Sequence, residues 1–150
     1  MPVTVRPATP ADHQAWLPLW RGYQEFYAVS LPEDTTASTW ARFHDPASPL
    51  HCALAVGADD LPVGLVHLIL HGSTWSAAPH CYLSDLFVPP ELRGKGVGRA
   101  LIAYAYDWAR GRACSCVHWL THQDNGAARA LYDQVAVHRG HIRYEKILAD

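Results

Sequence analysis

The spacing of apolar residues near the N-terminus predicts a helix with one aromatic face. Trp16, Trp20, Tyr23 and Tyr27 recur at steps of four, three and four, which places four rings on one side of an α-helix. Pro18 lies inside this pattern and is expected to kink the helix rather than abolish it. Such a face packs on a sheet or forms an aromatic wall of a substrate site. Core packing is the favoured interpretation, and both can hold at the C-terminal end of the helix.

The rest of the chain alternates between short apolar strands and further helical patterns. The predicted strands are Val3 to Arg6, Leu50 to Val56, Pro62 to Leu70, Cys81 to Val88, Val117 to Thr121, Val135 to His138 and Ile142 to Ile147. Thr9 is the predicted N-cap of the aromatic helix, and the later helices are Thr35 to Phe43, Val97 to Arg110 and Asp124 to Gln134. Strands that come first in hairpins and then in β-α-β order predict a mixed α/β sheet with helices on both faces.

Length and composition predict one domain, residues 1–150, because 150 residues with 49% apolar side chains can form a core of their own. The longest apolar run, Leu61 to Leu70, is interrupted by Pro62, Gly64 and His67 and is too short to span a bilayer. The N-terminus does not have the form of a signal peptide. We therefore expect a cytoplasmic protein that does not bind membranes.

The net charge of −2 argues against a nucleic-acid partner, and its distribution is uneven. Residues 1–92 carry three basic and nine acidic side chains, net −6, whereas residues 93–150 carry nine basic and five acidic, net +4. This division is either a feature of two binding surfaces or ordinary unevenness of surface charge.

The four cysteines lie in apolar surroundings and form no Cys-x-x-Cys pair, so they are expected to be reduced, buried thiols. Cys114, Cys116, His118 and His122 would share a face of one strand, and both residue types bind zinc. Structural zinc sites usually present Cys-x-x-Cys on a turn, however, and we expect no metal.

A glycine-rich turn, Arg93-Gly94-Lys95-Gly96-Val97-Gly98, precedes the predicted helix at Val97. Glycines tolerate positive φ, so successive N–H groups in this turn can converge on an anion, and the helix adds the N–H groups of its first turn. The pattern lacks the hydroxyl of a Walker A loop and has Arg99 where the dinucleotide fingerprint needs a third glycine. A pyrophosphate is the natural ligand, and the alternative is a glycine-rich helix start with no ligand.

The turn resembles the Arg/Gln-x-x-Gly-x-Gly/Ala signature of the GCN5-related N-acetyltransferase (GNAT) superfamily, matched by Arg93, Gly96 and Gly98. The same resemblance continues over essentially the whole chain, in Tyr82 to Val88, Trp119 to Thr121, Asn125, Ala128 to Tyr132, and Tyr144 to Lys146. It is nearest in appearance to polyamine, thialysine and histone acetyltransferases. It implies the order β-α-α-β-β-β-α-β-α-β-β, a mostly antiparallel sheet, acetyl-CoA as co-substrate, and a homodimer.

By this resemblance, residues around the turn and on two flanking segments bind the cofactor: Leu86, Phe87, Val88, Arg93, Gly94, Lys95, Gly96, Val97, Gly98, Arg99, Asn125, Ala128 and Tyr132. Amides from Gly94 to Arg99 hold the pyrophosphate. The strand end at Leu86 to Val88 and the side chain of Asn125 bind the pantetheine arm. Tyr132 faces the thiol and stabilises it as it leaves, although spacing alone favours a core aromatic at this position.

The predicted catalytic residues are Tyr132, Ser84 and Asp85. Polyamine and thialysine acetyltransferases often carry Glu-Asp after Tyr-Leu, and this chain has Ser84-Asp85. Alternation predicts opposite faces for these two residues, so Asp85 cannot simply replace the glutamate. A water held by Ser84, or a histidine such as His122, is an alternative base, and a purely structural role for Asp85 is another.

The sequence therefore predicts an enzyme that transfers an acetyl group by direct attack of a small cationic amine, a polyamine or a lysine-like compound. The residues predicted to bind this substrate are Tyr23, Tyr27, Glu25, Trp40 and Asp85. Acidic groups beside aromatic rings favour a cation through Coulomb attraction and cation-π contact. The alternatives are a non-catalytic acyl-CoA-binding regulatory module and an acetyltransferase for protein N-termini or lysines.

Overall fold

A five-stranded sheet organises the fold. A computed structural model of the protein describes residues 2–149. The strands are β1 (Thr4–Pro7), β2 (Leu50–Val56), β3 (Pro62–His71), β4 (His80–Phe87) and β5 (Val117–His118). The helices are α1 (His13–Phe26), α2 (Glu33–Phe43), α3 (Val97–Gly111) and α4 (Gly126–Val135).

The strands lie in the sheet in the order of the chain, β1-β2-β3-β4-β5. The pairs from β1 to β4 are antiparallel, and β4 and β5 are parallel because α3 carries the chain back between them. The predicted mixed, mostly antiparallel α/β sheet is thus confirmed.

The start of α1 follows from the residues that precede it. Pro10–Asp12 forms a 3₁₀ turn, and the backbone N–H of Thr9 donates to Asp12 Oδ2 at 2.8 Å. The same carboxylate accepts from Arg6 on β1 at 2.7 Å, which ties the helix start to the sheet. α1 continues through Pro18 to Phe26, so the proline does not end it.

Helices cover both faces of the sheet. On one face, aromatic residues of α1 pack on a shared set of apolar strand residues, which comprises Cys52, Leu54, Val56, Leu65 and Phe87. Ala53 and Ala55 alternate with that set on β2, so they face the other side, and both are fully buried. α3 covers this second face, since a Cβ added at Gly64 would lie 3.1 Å from side-chain atoms of Leu101 and Val97. The candidate site below is built on the α1 face and at the start of α3.

Contacts divide the chain into two compact units, Met1–Trp119 and Leu120–Asp150. The first holds the sheet and α1 to α3, and the second holds α4 and the segment after it. The one-domain organisation stays a prediction. Within residues 2–149, no helix is both long enough and apolar enough to cross a membrane.

The two closing strands predicted at Val135 to His138 and Ile142 to Ile147 are wrong for the described residues. Val135 ends α4, and residues 136–149 form no strand. Several large apolar side chains of this segment are exposed, namely Val137, Ile142, Tyr144, Ile147 and Leu148. An alternating sequence becomes a strand only where a second strand accepts its hydrogen bonds, and these residues pair with none in the described chain. The strand predicted at Val117 to Thr121 is likewise shortened to Val117–His118.

Candidate functional site

The glycine turn has the backbone that its sequence predicts. Gly94 and Gly96 adopt φ values of +77° and +85°, and Gly96 is the residue before α3. A Cβ at either position would meet no atom within 4 Å, so space for a ligand lies directly against the backbone. Gly98 lies inside the helix. The turn therefore offers the open approach that an anion needs, backed by the positive end of a helix that runs for 15 residues.

Arg93 holds the start of this turn in place. Its Nε donates to the carbonyl oxygen of Val88 at 2.9 Å, and its Cζ lies 4.8 Å from the centre of the Phe26 ring. The guanidinium thus ties the end of β4 to the turn and to α1. Lys95 and Arg99 are exposed nearby. The cofactor role predicted for these three cations stays a prediction, and the structure adds a shaping role for Arg93.

One edge of β4 is open where the cofactor arm is predicted to bind. β3 pairs with β4 as far as Phe87, whereas β5 pairs only with Cys81 and Tyr82. In the described part of the chain, no strand pairs with the β5 side of β4 beyond Tyr82. Phe87 places its side chain in the core. The backbone at residues 86–88 is therefore the part available for ladder-like hydrogen bonds to a ligand.

Asp85 lies at the centre of a hydrogen-bond network between β3, β4 and α1. Its Oδ2 accepts from His67 Nδ1 at 2.9 Å and from the Ser84 hydroxyl at 3.1 Å, and Tyr23 also donates to the carboxylate. Trp16 Nε1–H donates to His67 Nε2 at 3.0 Å. An indole only donates, so the ring proton of His67 is on Nδ1 and both of its nitrogens are engaged. Sequence reasoning did not assign His67 to the site.

The pKa of Asp85 is set by two opposing effects. Burial raises it, but the hydrogen bonds from His67, Tyr23 and Ser84 favour the ionised form and bring the pKa below its ordinary value. Burial, followed by the charge of Asp85, raises the pKa of both Tyr23 and Tyr27. The site therefore holds a carboxylate at neutral pH among protonated phenols. Its three donors include no lysine or arginine, so the negative charge has no permanent cation among them.

A β-bulge corrects the prediction that Ser84 and Asp85 lie on opposite faces. His67 pairs with Asp85 and Leu68 pairs with Leu83, so Ser84 is an extra residue on β4 without a partner on β3. At such a residue, successive side chains no longer point strictly to opposite faces of the sheet. This is why the Ser84 hydroxyl reaches the carboxylate of its own neighbour.

The predicted substrate residues on α1 and α2 separate into two groups. Tyr23 and Tyr27 lie on the Asp85 side of α1, and their ring centroids are 4.8 Å apart. Glu25 is exposed and two positions away, on a different side of the helix from both tyrosines. Trp40 packs on the fully buried Trp16 with ring centroids 4.7 Å apart. The structure brings Tyr23 and Tyr27 to Asp85 and gives Trp40 a packing role.

In the second unit, α4 and the residue before it, Asn125, carry the remaining predicted residues. Asn125, Ala128 and Tyr132 follow one another at steps of three and four, so they share one side of the helix. All three are half-buried, whereas Gly126, Ala127, Ala130 and Asp133 are exposed. Tyr132 therefore lies on the more protected side of α4, together with the predicted pantetheine ligand Asn125.

Comparisons with known proteins agree with the resemblance carried by the turn. The chain matches the family model described as Acetyltransferase (GNAT) family over residues 16–136. It is 34% identical over 145 residues to the D-amino-acid N-acetyltransferase HPA3 of Saccharomyces cerevisiae, covering 96% of this chain and 90% of that one. It is 35% identical over 116 residues to an aminoglycoside N(6')-acetyltransferase type 1 of Stenotrophomonas maltophilia, covering 74% of this chain and 70% of that one.

A solved structure with the same fold contains a coenzyme A analogue. AAC(6')-Iy in complex with the bisubstrate analogue CoA-S-monomethyl-acetylneamine has a TM-score of 0.84, is 17% identical, and covers 99% of this chain and 100% of that one. At this identity the likeness is one of fold alone.

Proposed function

The chain belongs to the acetyltransferase (GNAT) family and is an acetyl-CoA-dependent N-acetyltransferase, and from this premise we propose that its acceptor is a small cationic amine bound beside Asp85. The observation that carries the proposal is the Asp85 carboxylate, which is ionised, mostly buried and hydrogen-bonded by groups that include no lysine or arginine. A buried charge of this kind is stabilised further by a cation.

Aromatic rings add to the preference for a cation. Tyr23 and Tyr27 lie next to the carboxylate on α1, and a cation over such a ring gains about 0.5–2 kcal/mol. Residues 1–92, which contain this site, also carry a net charge of −6. Long-range attraction and short-range contacts therefore favour the same acceptor, a polyamine or a lysine-like compound.

For the cofactor, we propose that the amides of the glycine turn hold the pyrophosphate and that the open edge of β4 holds the pantetheine arm. The open space at Gly94 and Gly96 supports the first part, and the unpaired edge beyond Tyr82 supports the second. The contribution of Asn125 to binding that arm stays a prediction. Bound acetyl-CoA supplies the thioester that the amine attacks directly, so that a C–N bond forms as the C–S bond breaks.

The acceptor must lose a proton before attack, because an ammonium of pKa about 10.4 is almost wholly charged at neutral pH. Asp85 is a weak base, since its pKa lies below its ordinary value. We assign it to binding the ammonium and assign Ser84 to holding a water that accepts the proton. The Ser84 hydroxyl already donates to Asp85, so its lone pairs point elsewhere and can accept from water. The water passes its proton to solvent, and the departing thiolate takes the second proton that the nitrogen releases on attack, so that CoA leaves as the thiol. Tyr132 stays the predicted hydrogen-bond donor to this thiolate.

The test is an acceptor panel of polyamines, lysine analogues, D- and L-amino acids and aminoglycosides, assayed by release of CoA. At low salt we expect the largest kcat/KM for a polycation and a small value for a primary amine that is neutral at the assay pH. The preference should weaken between 0.1 M and 1 M salt, because the Debye length falls from about 10 Å to about 3 Å.

Asp85→Asn provides the matched variant. It should lower kcat/KM for the polycation by about tenfold to a hundredfold, mostly through KM, and leave the neutral amine nearly unchanged. Asp107→Asn removes the same charge from an exposed site on α3 and should change neither value. Equal kcat/KM for charged and neutral amines, or a preference for D-amino acids, would refute the cationic acceptor and leave acetyl transfer intact.

A further inference from the structure

Three histidines come together at the other end of β4 from the glycine turn. They are His71 at the end of β3, His80 at the start of β4, and His118 on β5. One nitrogen from each ring lies within 4.8 Å of the corresponding nitrogen of the other two. This cluster is not part of the acetyl-transfer site described above.

The sheet itself forces the three rings onto one face. His71 pairs directly with His80, and His118 pairs with Tyr82, which is two residues from His80 and so faces the same way. The cluster is therefore set by backbone register and not by chance contacts of long flexible side chains. His118 is exposed and His71 and His80 are half-buried, so an ion from solvent can reach them.

The hydrogen bonds of His71 prepare it for a metal. Its Nδ1 lies 2.8 Å from the carbonyl oxygen of Gly72, and a carbonyl only accepts, so the ring proton is on Nδ1 and Nε2 carries a lone pair. Metal-binding histidines typically donate their second nitrogen to such an acceptor, which fixes the ring and its tautomer. The Tyr82 ring stacks on His118 with centroids 5.1 Å apart and holds the second ring.

The nitrogens are close to the spacing that a metal requires. Nε2 of His71 and Nε2 of His118 are 2.8 Å apart, joined by one proton that His118 donates. A tetrahedral zinc ion with Zn–N bonds of about 2.0–2.1 Å needs ligand nitrogens about 3.3 Å apart. Small rotations of the rings reach this spacing if the His118 proton moves to its Nδ1.

We propose that His71, His80 and His118 form a binding site for a divalent transition-metal ion such as Zn²⁺, with a fourth position open to water. Imidazole suits Zn²⁺, Ni²⁺ and Cu²⁺ better than it suits Mg²⁺ or Ca²⁺. The site differs from the one considered on sequence grounds, which joined His118 to Cys114, Cys116 and His122, and it replaces the expectation of no metal. The ion would connect β3, β4 and β5 where β5 is attached by only two residue pairs.

The test uses untagged full-length protein titrated with Zn²⁺ against a chromophoric chelator. We expect one equivalent to bind, with affinity reduced by about tenfold or more in His71→Gln and in His118→Gln. His122→Gln and Cys116→Ser should bind as the wild type does. A raised Tm on addition of Zn²⁺, absent in His71→Gln, would be the second readout, because an ion that binds only the folded state stabilises it.

Two results would overturn the proposal. One is the absence of stoichiometric binding to the folded wild-type protein. The other is binding that survives His71→Gln and is lost in Cys116→Ser or His122→Gln, which would assign the ion to the cysteine-containing set. Neither result depends on acetyl-transfer activity, so this proposal and the proposed acceptor fail separately.

Discussion

Nδ1 of His67 lies 2.9 Å from Oδ2 of Asp85, across the pair β3 and β4, so a buried histidine positions the carboxylate that we assign to the acceptor. His67 in turn accepts from the fully buried Trp16. The orientation of the carboxylate therefore depends on both hydrogen bonds, from Trp16 to His67 and from His67 to Asp85.

His67→Phe should therefore cost about 2–4 kcal/mol of unfolding free energy. The ring still packs on Phe43 and Trp20, but Trp16 Nε1–H loses its acceptor and Asp85 loses a donor in a buried place. Urea unfolding measures the loss. His141→Phe, at an exposed position, is the control and should change stability by less than about 0.5 kcal/mol.

The same variant tests the positioning role. KM for a cationic acceptor should rise more than kcat falls, because the carboxylate stays but loses its orientation. If His67→Phe and His141→Phe are equally stable and equally active, the network has neither role.

Gly96→Val should abolish binding of acetyl-CoA. Gly96 has φ of +85°, where a β-branched residue is strained, and its Cβ would fill the space next to the backbone amides. The measurement is the rise in Tm caused by acetyl-CoA, which should vanish. Gly111→Val is the matched control, since Gly111 also has open space around it but does not have positive φ. An unchanged Tm shift in Gly96→Val would remove the pyrophosphate from this turn.

Tyr132→Phe should lower kcat by about tenfold to a thousandfold and leave the affinity for CoA nearly unchanged. The substitution keeps the ring and removes one hydrogen-bond donor to the leaving thiolate. Tyr144→Phe changes an exposed tyrosine of the same unit and serves as the control. Equal turnover in the two variants would place the donor elsewhere.

The lowered pKa of His51 predicts that the folded protein loses stability in acid. Burial, and then the charge of Arg112, lowers its pKa from 6.5 to about 4, and its ring stacks on Trp108. Between pH 6.5 and 4 the unfolded chain therefore binds a proton that the folded protein does not, so stability falls as the pH falls through this window. The ring is partly exposed, and with solvent screening we expect about 1–2 kcal/mol.

The measurement compares the unfolding free energy at pH 7 and pH 4.5 in the wild type and in His51→Gln. Glutamine retains a hydrogen-bonding group for Tyr104, which lies 2.8 Å from His51 Nε2, but it does not titrate. The variant should lose less stability on acidification than the wild type. The same loss in both proteins would assign the acid sensitivity to other groups.

Local features of the site were predictable from sequence. The positive φ at Gly94 and Gly96 follows from glycines before a helix, and the start of α3 at Val97 follows from the same signal. These depend on residues close together in the chain, so the pattern contains the information. The aromatic face of α1 was also predicted correctly: Trp16 packs in the core, and Tyr23 lies near Asp85.

Long-range features were not predictable in the same way. His67 reaches Asp85 because of the register between β3 and β4, and that register includes an extra residue that alternation does not reveal. A signal did exist, since His67 is a histidine inside an otherwise apolar strand. The prediction of the two closing strands was wrong for a related reason: the alternation of apolar and polar residues does not specify which strand would pair with them.

The bulge at Ser84 also determines which side of the sheet His80 faces. His80 and Asp85 are five positions apart, an odd number, so in a regular strand they would point to opposite sides of the sheet. His67 and His71 are four positions apart on β3, and their partners on β4 are Asp85 and His80. One additional residue thus reverses the alternation of side chains along β4. As a result, the Asp85 carboxylate and the histidine cluster face the same side of the sheet. Deleting Ser84 while the glycine turn holds its place would turn the N-terminal half of β4 over, and with it His80.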